Sequence, residues 1–148
     1  MLEKKKCAVV LVWNDAGELA LQLRAASDDK FPGYWDISAS GGIDPGEDSQ
    51  TAAERELWEE IGVKAKVEFL TEEICTYPAW DPTITRETDL FIYKAQSNGP
   101  FKIDPIEVEG VEFFSLDKIQ EMIKSGIKFH PEFVIIWDKG IISRALKK

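Results

Sequence analysis

Residues 55–60 read RELWEE, so Glu56, Glu59 and Glu60 fall within five positions, with Gly62 just beyond them. Carboxylate oxygens without thiolate or imidazole suit Mg²⁺, with Mn²⁺ as its substitute, rather than zinc. The chain's only histidine, His130, is far away in sequence and forms no ExxH spacing, which sets zinc and di-iron sites aside. On a helix turning about 100° per residue, Ala53, Leu57 and Ile61 stack on one side. Glu56 and Glu60 flank that stripe, with Glu59 a little farther round. A solvated acidic face is the plain alternative, but it would lie opposite the stripe. The cluster costs stability: Glu56 and Glu60 repel at i,i+4 by roughly 0.2–0.5 kcal/mol. Acids in a last turn also oppose the helix dipole, at roughly 0.3–1 kcal/mol each. Bound dications would offset both. Magnesium keeps waters and reaches for substrate phosphates, which points to phosphoryl chemistry with water activated by metal and a carboxylate base.

Several elements must position these acids. CAVVLVW (7–13) reads as a buried strand, NDAG as a turn, and ELALQLR (18–24) as a half-buried strand closing a hairpin with the first. AASDDKFPGY reads as a loop ended by WDIS, and GGIDPGED as a long loop. The acidic helix is expected to start at Asp48 or Ser49 and to stop at Gly62. One or two strands are expected in VKAKVEFLTEEICTYP, one over 87–95 and one in IEVEGVEFFS. Ser115 caps a short helix stopped by Gly126. A last amphipathic helix runs from Pro131, with Phe133, Ile136 and Trp137 on one face. Strands and helices mix without a regular βαβα alternation, so the expectation is an α+β fold, a mixed-sheet sandwich in one domain over 1–148.

Net charge is −9, and residues 41–63 carry −6 of it, with seven acids against one base, Arg55. The excess is therefore local, and a nucleic-acid polymer is not an expected partner. Cys7 and Cys75 form no metal or disulfide spacing and read as reduced core residues. The apolar part of MLEKKKCAVVLVW is too short for a signal peptide, and no run is long enough for a membrane span. A cytoplasmic protein is expected.

The stretch GGIDPGEDSQTAAERELWEEIGV resembles the Nudix box, G-x5-E-x7-R-E-U-x-E-E-x-G-U, where U is a bulky aliphatic. All nine fixed positions match: Gly41, Glu47, Arg55, Glu56, Leu57, Glu59, Glu60, Gly62 and Val63. The resemblance implies a Nudix-like α/β/α sandwich, with a mixed sheet between helices, that hydrolyses a diphosphate linked to another moiety. It implies Glu59 and Glu60 as metal ligands and Glu56 as ligand or base. Glu47 becomes an outer ligand or support, the Gly41 carbonyl joins the metal shell, and Arg55 orients a glutamate. KFPGYWDISASGG is also similar to the branch of the family related to isopentenyl-diphosphate isomerase. Those isomerases use a cysteine where this chain has Ser38-Ala39-Ser40, which disfavours isomerisation. A non-catalytic ligand sensor is the third reading, although no box position is degraded.

Outside the box, Glu87 is the leading candidate for a base, with Glu107 and Glu109 behind it; a strand-end surface acid is the plain alternative. Phe31, Tyr77 and Trp80 are candidates to cover a substrate group, and Arg24, Lys30 and Arg86 to grip a phosphate. Core-edge packing and solvation are their plain alternatives. Trp58 is expected to serve packing or a subunit contact, which leaves a homodimer open. His130 is expected to bond local backbone at a helix entry. The expected partner is a small-molecule diphosphate, of nucleoside-diphosphate type or another small organic kind.

Overall fold

The computed structural model describes residues 1–146. Its seven strands and four helices run β1 (Leu2–Trp13), β2 (Leu19–Arg24), β3 (Trp35–Asp36), β4 (Ala39–Gly42), α1 (Ser49–Ile61), β5 (Glu68–Pro78), β6 (Thr85–Gln96), β7 (Val108–Phe114), α2 (Leu116–Lys124), α3 (Pro131–Asp138) and α4 (Ile141–Leu146). The main sheet order is β3-β2-β1-β6-β5, with β4 added to β1 and β7 added to β2. β1 and β6 pair in parallel along their whole length and the other pairings are antiparallel, so the sheet is mixed.

Strand alternation builds two cores. Val9, Leu11, Leu19, Leu21, Leu90 and Ile92 face α2, α3 and α4, joined by Ile119, Phe133, Ile136 and Ile142. Ala8, Val10, Val12, Ala20 and Tyr93 face α1, joined by Ala53, Leu57 and Ile61. Covering on both faces explains why the β1 sequence is continuously apolar rather than alternating. The result is the expected α+β sandwich, with a mixed sheet between helices. Among the described residues no helix is long and apolar enough to cross a membrane.

Four sequence expectations change. The first strand begins at Leu2 rather than at Cys7; its charged start is held in register by β6, which local hydropathy does not reveal. The β1–β2 hairpin is short, pairing only Trp13 with Leu19 before the strands part. The buried Ser38 hydroxyl spans the opening, accepting from the Val12 N–H and donating to the Ala20 carbonyl. Gly41 and Gly42 belong to β4, not to a long loop, and pair with Ala8 and Cys7. The last helix is two, α3 and α4, broken at Gly140, whose φ of 75° leaves the helical region.

Cys75 is buried as expected, whereas Cys7 is only partly so. His130 behaves as expected: its Nδ1 accepts the Glu132 N–H at 3.1 Å at the start of α3.

Candidate active site

α1 is fixed at both ends. The Asp48 carboxylate accepts the Thr51 N–H at 2.7 Å, and the left-handed Gly62 closes the last turn. Its apolar stripe sits fully buried over β1 and β4, which turns Glu56 and Glu60 toward the sheet and leaves the Glu59 side chain 56% exposed. Glu60 is buried, and its Oε1 accepts from the Ser40 N–H at 3.0 Å and from Gln22 Nε2 at 3.2 Å. No cation pairs with it among the described residues. Burial pushes its carboxyl well above the ordinary value; the Ser40 N–H opposes this, and the Glu56 charge adds to it. Burial also raises Glu56, against the pull of Arg55. A low-dielectric site in which Glu60 has no cation, and Glu56 shares the Arg55 guanidinium with Glu47 and Glu59, is short of positive charge.

Gly41 is pressed against this pair. A Cβ there would lie 2.2 Å from the Glu56 carboxyl carbon, so only glycine lets backbone and carboxylate approach. That cradle, the buried Glu60 and an all-oxygen donor set fit a hard divalent cation. Among the described residues no three acids, histidines or cysteines already form a closed cage. The geometry explains this: Glu56 and Glu59 both lean on Arg55 Nη1, at 2.8 and 3.3 Å.

Arg55 ties the loop to the helix. Its Nε and Nη2 donate to the two oxygens of Glu47 at 2.9 Å each, and Nη2 also donates to the Gly42 carbonyl at 3.0 Å. Glu47 in turn accepts the Asp44 N–H at 3.0 Å. This fork holds the Glu47 carboxyl down at about 2, with Arg55 as the main cause. Glu47 therefore has the contacts of a support.

Beside the start of α3 lies a cleft of about 390 Å³. Arg24, Lys30, Phe31, Tyr77, Trp80 and Arg86 all line it, so the structure brings together six residues from four separate stretches of sequence. Phe31 has a φ of 49° and packs edge-on against Tyr34, Trp80 and His130. Arg24 is committed to Asp36 at 3.0 Å and Asp28 at 3.1 Å, and Arg86 to Glu3 at 2.6 Å. Cys7 joins the two regions. Its side chain lines the cleft, and burial, with help from the Glu132 and Glu56 charges, pushes its thiol up to about 12.

The outside acids separate. Glu87 stands opposite Lys4 at 3.8 Å, in a groove with Lys6, Ile74 and Asp89. Glu109 accepts the Ala26 N–H at 3.3 Å. Glu107 is the acid whose charge bears on both Glu56 and Glu60. Sequence reasoning does not pick out Lys5, Gln22 or Glu132. Once β1 is known to start at Leu2, alternation turns Glu3, Lys5 and Cys7 into the cleft. Nothing local marks Gln22 or Glu132. Trp58 is 52% exposed, with Lys64 Nζ 5.3 Å from its ring centre.

The family model described as NUDIX domain matches residues 3–134. An uncharacterized Nudix hydrolase of Listeria monocytogenes is 31% identical over 133 residues, covering 85% of this chain and 72% of that protein. An isopentenyl-diphosphate Delta-isomerase of Halorhodospira halophila is 36% identical over 115 residues, covering 75% of this chain and 64% of that protein. Among solved structures, a MutT protein from Methanosarcina mazei Go1 superposes with a TM-score of 0.78 at 20% identity, over 98% of this chain and 96% of that one.

Proposed function

The chain belongs to the NUDIX domain family and is a Nudix pyrophosphohydrolase; from that premise we propose that it hydrolyses a diphosphate linkage in a nucleoside-diphosphate-type or other small organic diphosphate, by water attack on phosphorus with Mg²⁺. The observation that carries this reading is the pairing of two charge-starved carboxylates, Glu56 and Glu60, with a backbone that only Gly41 allows so close. Glu56, Glu59, Glu60 and the Gly41 carbonyl would hold the metal, which supplies charge neutralisation and a more acidic bound water. Arg55 keeps Glu56 and Glu59 within reach of one another and pins the loop through Glu47. Gln22 and the Ser40 N–H orient Glu60.

Proton acceptance from water falls to Glu56 or to an acid outside the box. Of the outside acids, Glu107 is the better placed, because its charge is felt at the glutamate pair; Glu87 has Lys4 as its neighbour. Arg24, Lys30 and Lys5 are the cations of this cleft that a diphosphate could meet. Two free cysteines suit a reducing, cytoplasmic setting.

The test is a panel of nucleoside and prenyl diphosphates with Mg²⁺ and product identification. Release of monophosphate or phosphate from at least one is expected, and folded protein that releases none from any would overturn the reading. The isomerase reading rests on the 36% identity to the isomerase. Conversion of isopentenyl to dimethylallyl diphosphate is not expected, because the stretch Ser38-Ala39-Ser40 offers no cysteine for the proton transfer.

A further inference from the structure

A run of buried polar groups crosses the β1–β2 opening and ends on Glu60. Alternation with Ala20 turns Gln22 of β2 to the α1 face, where it is 6% exposed. Its Nε2 carries two hydrogens. One goes to the Ser38 carbonyl and the other to Glu60 Oε1, at 3.2 Å each. Both neighbours are acceptors, which fixes the end of the amide that faces them. The Ser40 N–H donates to the same Glu60 oxygen at 3.0 Å. Two donors fill the two lone pairs of Oε1. Oε2 accepts from no described residue. The buried side-chain polar atoms left without a partner, among the described residues, are Trp13 Nε1, Arg86 Nε and Asp89 Oδ1. Glu60 Oε2 is not one of them, so it opens onto solvent. Donors that served only to satisfy a buried acid would be spread over both oxygens. Here they converge on one.

We infer that Gln22 is a positioning residue that makes Glu60 a one-oxygen ligand and so sets which cation the site accepts. This rests on the metal-dependent hydrolase reading above. A cation held by both oxygens of a carboxylate needs a lone pair from each, and Oε1 has none left. Only Oε2 remains. Ca²⁺ takes many oxygen ligands and often both oxygens of one carboxylate, whereas Mg²⁺ demands a near-ideal octahedron of single oxygens. Mn²⁺ suits the same carboxylate and water donors. Gln22 therefore favours Mg²⁺ and Mn²⁺ over Ca²⁺. Its other hydrogen bond, to the Ser38 carbonyl, ties that choice to the segment carrying Ser40 and Gly41. Partners that orient a metal ligand in this way govern affinity without touching the metal.

The experiment titrates Mn²⁺ and Ca²⁺ into wild type, Q22M and S38A by calorimetry, without substrate, beside melts in EDTA. Q22M keeps the side-chain length and removes both amide hydrogens. S38A loosens the β1–β2 opening but leaves the Ser38 carbonyl and the Gln22–Glu60 contact in place. Wild type is expected to prefer Mn²⁺ over Ca²⁺. Q22M is expected to lose roughly 10–100-fold in Mn²⁺ affinity and much less for Ca²⁺, so the preference collapses. S38A is expected to melt earlier and to keep the wild-type preference, which separates positioning from stability. A folded Q22M with the wild-type preference would overturn the proposal, as would S38A shifting the preference as far as Q22M. Wild type that binds Ca²⁺ as tightly as Mn²⁺ would overturn it without recourse to any variant. Each of those results leaves the hydrolase reading standing. Wild type that takes up neither ion would overturn both.

Discussion

The two faces of the sheet carry two different kinds of site. On the α1 face the acids lie within one stretch, 41–63, and the structure leaves Glu56 and Glu60 short of positive charge. On the α3 face the cleft takes residues from β1, the end of β2 with the β2–β3 connection, the end of β5 with the β5–β6 connection, the start of β6 and α3, and both of its arginines are paired inside the protein. The first region fits a cation in charge and donor type. The second is built to hold shape and polarity against something larger. A site encoded in one turn-rich loop and one helix keeps its spacing through any change elsewhere, while a site gathered from five segments can change its occupant residue by residue.

The largest expected effect is on the first region. Glu60→Gln should cut hydrolysis by orders of magnitude, while the metal-free protein melts at the same temperature or higher, because a repulsive pair is gone. A rate assay beside a melt in EDTA decides it; an early-melting mutant that turns over at wild-type speed would contradict the assignment. Next, Glu107→Gln should lower kcat by roughly 10²–10⁴ if Glu107 takes the proton. Glu87→Gln should leave the rate near wild type, since its exposed pair with Lys4 is worth little. The reverse ranking in kinetic assays would move the base to Glu87.

Smaller again is Gly41→Ala. The added methyl must push the flexible end of the Glu56 side chain away, a shift that costs the fold little. Its activity loss should exceed its loss of melting temperature, because the displaced group is a proposed metal ligand rather than a core side chain. The mildest effect concerns acid. Glu47 is held at about 2, below its ordinary 4.5. Its contribution through Arg55 is therefore complete above about pH 4.5 and fades as pH falls toward 2. Melts of metal-free wild type should show this loss, and Glu47→Gln should lack it.

The same contrast explains what the sequence reveals. Helix periodicity places Ala53, Leu57 and Ile61 inward and the acids beside them because those contacts repeat within one element. Gly41 in a strand escapes local reading: GG followed by DPG carries turn signals, and only the pairing with β1 and the press of Glu56 make it extended. The short β1–β2 contact escapes as well, since the Ser38 bridge that holds the opening lies 26 residues from Val12. The cleft aromatics and cations stand out by type, but their meeting depends on register between β1 and β6 and on where α3 docks. Glu132 gives no local signal, because an acid after proline reads as an ordinary helix start.

The central claim is that the α1 carboxylates are kept in repulsion because dications settle among them. Calorimetric titration with Mn²⁺, with and without a non-hydrolysable diphosphate, tests it most directly. Saturable uptake in wild type that is abolished in Glu60→Gln is the predicted result. Absence of uptake in both conditions, or uptake unchanged by the substitution, would contradict it.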